Sequence, residues 1–185
     1  MAVLDDALVT ESWTIKTDAE ILQAVHRTQP DVVAIDAPLS LPKGRCCADP
    51  NCPCSVHGIV RSADRAVSRM GYRPFWTLLP SMVNLTLRSI RLRETLESMG
   101  VRMIEVYPGA AQDRLGLPRK QRGEDALLRG LLSLGIRFAD PARKRVHDEL
   151  DAVTAAYVGL CWLQNAFEAA GPANETQIIL PLSKE

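Results

Sequence analysis

Asp31-Val32-Val33-Ala34-Ile35-Asp36 is the stretch on which the fold turns. Its apolar run does not alternate, which predicts a strand buried on both faces, as in a parallel sheet covered by helices. Just upstream, Thr17 or Asp18 is placed to cap a helix. Its Ile21, Leu22 and Val25 recur at helical spacing until Gln29-Pro30 stops it near Thr28. Earlier still, residues 2–4 and 7–13 read as two strands turning at Asp5-Asp6. Downstream, residues 38–61 are rich in Pro, Gly and Cys without apolar periodicity, so a long functional loop is expected there. Helices are predicted over 62–70 and 80–99, the second closed by Gly100. A second buried strand follows over 101–107, then a helical turn near 110–115 and a helix over 124–134 ended by Gly135. A last helix is predicted from His147 to about Ala170, stopped by Gly171-Pro172 and leading into a final strand over 176–180. The order is α/β, and no repeat or linker divides residues 1–185, which predicts a single domain.

Composition narrows the class. Of 185 residues, 46% are hydrophobic and 24% charged, a globular mixture with enough apolar mass for one core. Lys plus Arg and Asp plus Glu both number 22, so no global positive field recruits nucleic acid, and such binding needs a local basic face. Met1-Ala-Val-Leu-Asp-Asp carries acids where a secretory leader carries basic residues. The longest uncharged run, between Asp151 and Glu168, is shorter than the roughly 20 apolar residues a membrane span requires. Five cysteines, four of them within 46–54, look less like a disulfide framework than a metal or thiol site. A cytoplasmic protein without a membrane partner is expected.

Several acids fall where an α/β sheet places its chemistry. Asp36 and Glu105 lie at or near the C-terminal ends of two predicted parallel strands, the edge where ligands bind. Each has an ordinary alternative: Asp36 as a turn former before Ala37-Pro38, Glu105 as a paired acid within its strand. Asp148 and Asp151 open the last helix at i, i+3 spacing, nearly on one face. They equally suit a helix start, where acids oppose the dipole and Asp148 can cap free N–H groups. In combination, strand-end acids and a helix-start pair supply the hard oxygen ligands that Mg²⁺ or Mn²⁺ needs for phosphodiester chemistry. His147 beside them is suited to moving a proton near neutral pH.

The Cys46, Cys47, Cys52, Cys54 and His57 group holds enough soft ligands for zinc. Adjacent cysteines rarely share one ion, so the expected set is Cys47, Cys52, Cys54 and His57, bracing the loop; the alternative is a reduced cysteine patch. Arg61, Arg65 and Arg69 recur along one predicted helix, Arg88, Arg91 and Arg93 lie on the next, and Arg119, Lys120 and Arg122 occupy a loop. They are candidates for phosphate contacts, or are solvated faces. Phe75 and Trp76 are placed either to stack a base or to anchor the core.

The segments VVAIDAPLSLP, TLRSIRL, IEVYPGAAQDRLGLPRK and HDELDAVTAA resemble, in that order, the predicted-nuclease family filed as domain of unknown function 429. The resemblance covers nearly the whole chain. It implies a ribonuclease-H-like mixed sheet flanked by helices, with Asp36 as the acid after the central strand and Asp148 and Asp151 as the closing pair. Glu105 and Lys120 match recurring family positions. The implied activity is that of a divalent-metal-dependent nuclease, a hydrolase of nucleic acid, using Mg or Mn. The alternatives are an inactive nucleic-acid or protein-binding module of the same fold and a phosphoryl-transfer enzyme, although a Gly-rich phosphate loop is lacking. One departure stands out: the superfamily's first strand, whose Asp is the first metal ligand, has no counterpart before Ala2. The expectation is that Met1 replaces an internal valine and that a further strand precedes it. In its absence, residues 2–4 and 32–35 should each lose a neighbour in the sheet.

Overall fold

The hairpin forms where the short β-type runs predict it. A computed structural model describes residues 1–119 and 122–183. In it β1 (Ala2–Asp5) pairs antiparallel with β2 (Leu8–Ser12), with a register shift between Val3 and Leu4. Asp6 takes the tight turn at φ 49°, a left-handed conformation that Asp tolerates better than most residues. Helix α1 (Asp18–Thr28) begins with a reciprocal cap: the Thr17 hydroxyl accepts from the Glu20 N–H, and the Glu20 carboxylate accepts from the Thr17 N–H. It ends at Gln29, which turns left-handed at φ 45°.

Strand β3 (Val33–Ile35) follows, and the long loop after it contains one 3₁₀ turn, Pro53–His57. Next come α2 (Ser62–Arg69), α3 (Val83–Ser98), β4 (Met103–Val106), α4 (Pro108–Arg114) and α5 (Glu124–Ser133). The remainder is β5 (Arg137–Phe138), α6 (His147–Leu163), β6 (Phe167–Ala170) and β7 (Ile178–Pro181). Three of these depart from the sequence reading. The last helix stops at Leu163 rather than near Ala170, because Asn165 adopts φ 57° and the Ala166 N–H closes back onto the Cys161 carbonyl at 2.8 Å. The residues beyond then form β6, antiparallel to β7. The two-residue β5 was not anticipated and lies parallel to β2.

The strands form two mixed sheets, in the orders β1-β2-β5 and β3-β4-β7-β6. Helix α6 ties them together. Leu150 and Val153 in its first half pack with Val9 and Phe138 of the smaller sheet, while Ala155 and Val158 pack with Ile104, Val106 and Ile179 of the larger. On the other face of β3 and β4, Val25 of α1 and Leu92 and Leu96 of α3 form a separate apolar cluster. No helix of the described residues is long and apolar enough to cross a membrane.

β1 is the edge of one sheet and β3 the edge of the other, and each is hydrogen-bonded on one side only. Between them runs a slot of about 890 Å³, lined by residues of both strands and by the α6 residues Ala152, Ala155, Ala156 and Gly159. Val33, Ala34 and Ile35 are therefore half-buried, not enclosed on both faces as their apolar run suggests. Burial of a strand needs neighbours on both edges as well as helices on both faces, and β3 has β4 alone.

Candidate functional site

Six aspartates line this slot: Asp5 and Asp6 at the hairpin turn, Asp31 before β3, and the three expected from the sequence, Asp36, Asp148 and Asp151. Asp36 follows β3, where Ala37-Pro38 ends the strand. Water reaches it from the open slot, yet protein surrounds it closely enough to push its pKa up to about 7, and the neighbouring Asp151 and Glu105 add to the rise. Asp148 and Asp151 come from the first turns of α6. Asp148 does not cap that helix. The cap belongs to Glu149, whose carboxylate accepts from the Val146 N–H at 3.1 Å and from Arg143 at 2.6 Å. Burial opposes the Glu149 charge, but Arg143 and the Val146 N–H outweigh it and hold the carboxyl below its usual range. Asp148 is thereby left exposed at the slot.

Asp151 is held from two sides. Gln112 of α4 donates to its Oδ1 at 2.7 Å, and His147 Nε2 stands 3.2 Å from its Oδ2. Gln112 also reaches the Thr154 hydroxyl at 3.3 Å, which in turn bonds the Leu150 carbonyl. This buried glutamine fixes the orientation of Asp151, and the sequence reading did not single it out. Asp36, Asp148 and Asp151 share one cavity without collapsing into a tight cluster. Among the described residues, only Cys46, Cys47, Cys52 and Cys54 bring three or more ligand atoms within 4.8 Å of one another.

Glu105 belongs elsewhere. Its carboxylate is buried and gripped by Arg61 through two bonds of 2.6 and 2.5 Å, and it accepts a third from the Leu39 N–H at 2.9 Å. Arg61 also bonds Asp64 at 2.7 Å, and Asp64 accepts from the Thr77 hydroxyl at 2.7 Å. This network occupies the oxygens that a metal would use, so Glu105 is a paired acid and not a member of the open set. Arg61, read from its spacing as one of a basic stripe, is only 2% exposed.

The remaining candidates divide similarly. Arg65 and Arg69 face solvent on α2. Arg88 pairs with Asp18 at 2.6 Å, Arg93 bonds the Leu39 carbonyl at 2.8 Å, and Arg119 lies 3.5 Å from Asp113. Lys120 lies outside the described residues. Phe75 and Trp76 are exposed and do not anchor the core.

In the loop, Cys46 and Cys52 sulfurs are 3.8 Å apart, Cys47 and Cys54 3.8 Å, and Cys52 and Cys54 3.3 Å. All four are free thiols that could hold a metal ion. His57 is not among them, which corrects the expected ligand set. Its exposed ring packs over the backbone of Gly44, where an added Cβ would come within 2.6 Å of it. Cys46 takes its place.

No curated protein and no solved structure matches this chain. The family model described as "Protein of unknown function (DUF429)" matches residues 2–176, and the chain belongs to that family.

Proposed function

We propose that this chain is a divalent-metal-dependent, nuclease-like hydrolase whose slot carries the metal ligands Asp36, Asp148 and Asp151. The supporting observation is that Asp36, at the end of β3, shares one cavity with Asp148 and Asp151 of α6, with Asp36 raised to about 7 by burial and by the neighbouring Asp151. Burial disfavours the Asp36 charge most and the neighbouring carboxylates add to this, and a bound cation would offset both. The donors are hard oxygens, which fits Mg or Mn. When bound, such an ion supplies Lewis acidity and a water activated near neutral pH. The chain's own groups do the rest. Gln112 fixes Asp151, and His147, 3.2 Å from that carboxylate, takes or returns a proton. Arg65, exposed on α2, and Arg119 with Lys120 are the candidates for the phosphate backbone of a nucleic acid.

Calorimetry should show saturable Mn²⁺ binding that disappears in the Asp148→Asn, Asp151→Asn double variant. Unchanged binding there removes the helix pair from the site. Incubation with single-stranded, duplex, hybrid and branched nucleic acids plus Mn²⁺ should give cleavage that Asp36→Asn abolishes.

A second reading, an inactive binding module of the same fold, is favoured by the aspartates not converging as closely as the cysteines do. It predicts salt-sensitive nucleic-acid binding without cleavage, weakened by Arg65→Ala or Lys120→Ala.

A further inference from the structure

We propose that Cys46, Cys47, Cys52 and Cys54 form a closed zinc site that braces the loop between β3 and α2. Four thiolates at about 2.3 Å from one Zn²⁺ occupy a tetrahedron whose edges are about 3.8 Å. The Cys46–Cys52 and Cys47–Cys54 separations are 3.8 Å, and the Cys52–Cys54 separation of 3.3 Å needs to open by only about half an ångström. The sulfurs are therefore spaced for a shared ion.

Local backbone chemistry explains how adjacent cysteines serve one ion. The Arg45 side chain donates to the carbonyls of Cys47 and Asp49 at 3.0 and 3.1 Å, curling the chain around its guanidinium. The Asp49 carboxylate then accepts from the Asn51 N–H at 2.8 Å, and the Asp49 carbonyl accepts from the Cys52 N–H at 3.3 Å. These bonds return the chain so that Cys52 and Cys54 face Cys46 and Cys47. Pro53 starts the 3₁₀ turn that carries Cys54.

The ligand chemistry selects the metal. Soft sulfur donors with no carboxylate in the group suit Zn²⁺ and exclude Mg²⁺ and Ca²⁺. Binding converts four thiols and Zn²⁺ into a tetrathiolate complex, with the thiol protons released to solvent and no change of oxidation state. All four positions are filled by protein, so the site is structural rather than catalytic. What it holds in place matters, because one end of this loop presents Leu39 to Glu105 and the other presents Arg61.

Intact protein purified without chelators should contain about one zinc per chain by elemental analysis. Replacement by Co²⁺ should give the sulfur-to-metal charge-transfer band and the intense visible bands of tetrahedral thiolate coordination. Cys46→Ser should lose retained zinc, while His57→Ala should keep it. Should Cys46→Ser not fold, the wild-type protein decides the matter: thiol-reactive dye should label four additional cysteines once a chelator has removed the metal. Absence of metal, iron in place of zinc, or zinc lost in His57→Ala but retained in Cys46→Ser would overturn the proposal.

Discussion

Replacing Arg61 by alanine should cost the fold about 3–5 kcal/mol, the range expected when one partner of a buried ion pair is removed. Arg61, Asp64 and Glu105 are 2%, 1% and 4% exposed, so neither carboxylate can turn to water once the guanidinium is gone. The loss spreads beyond one pair. Arg61 bonds Glu105 on β4 and Asp64 on α2, Glu105 fixes Leu39, and Asp64 fixes Thr77, so four segments meet on a single cation. Arg61→Lys should recover little, because an ammonium lacks the planar fork that spans both Glu105 oxygens. The deficit should also depend on pH in a definite direction. Burial already pushes the Glu105 carboxyl above its usual range against the pull of Arg61. In the variant that opposing pull is absent, and a carboxyl whose folded pKa exceeds its unfolded value contributes stability below the unfolded pKa that is lost as pH rises. Urea unfolding should therefore show a larger deficit at neutral pH than at acid pH. A cost under about 1 kcal/mol at neutral pH, as for an exposed pair, would refute this account.

Arg61 also shows what local sequence conveys and what it cannot. Helix α1 was readable because its signals are neighbours in sequence, with Thr17 and Glu20 at one end and Gln29-Pro30 at the other. The hairpin and β4 were readable for the same reason. Glu105 was not, since a strand-end acid looks alike whether it awaits a metal or an arginine 44 residues away. Gln112 escaped notice because an amide has no distinctive chemistry until Asp151, 39 residues on, arrives beside it. Residues 167–170 read as more helix because the apolar run continues, and their state is decided by pairing with β7. Asn165 was the one local signal, a residue that tolerates the left-handed turn at a helix end. The cysteine spacing pointed to a metal, but the choice between Cys46 and His57 depends on how Arg45 curls the chain.

The apolar run at β3 was read correctly as a strand and incorrectly as fully enclosed, and that difference is measurable. Hydrogen exchange should find the Ala34 amide exchanging on the order of a thousandfold faster than that of Ile104, equivalent to about 4 kcal/mol less protection. The Val33 N–H bonds the Arg102 carbonyl at 2.8 Å, so alternation along the strand turns the Ala34 N–H toward the slot. Ile104 belongs to β4, which is paired with β3 on one side and β7 on the other, and it is only 6% exposed. Its exchange requires the larger sheet to open. The same reasoning applies across the slot. Met1 and Trp13 exchange both backbone bonds, at 2.7 and 3.0 Å, so Ala2 presents its N–H away from β2 and should exchange as fast as Ala34. Val9, 1% exposed in the cluster under α6, should be slow. Equal protection of Ala2, Ala34 and Ile104 would mean that the two sheet edges are not open to water. In that case the cavity shared by Asp36, Asp148 and Asp151 would not be the solvent-filled slot from which the proposed chemistry starts.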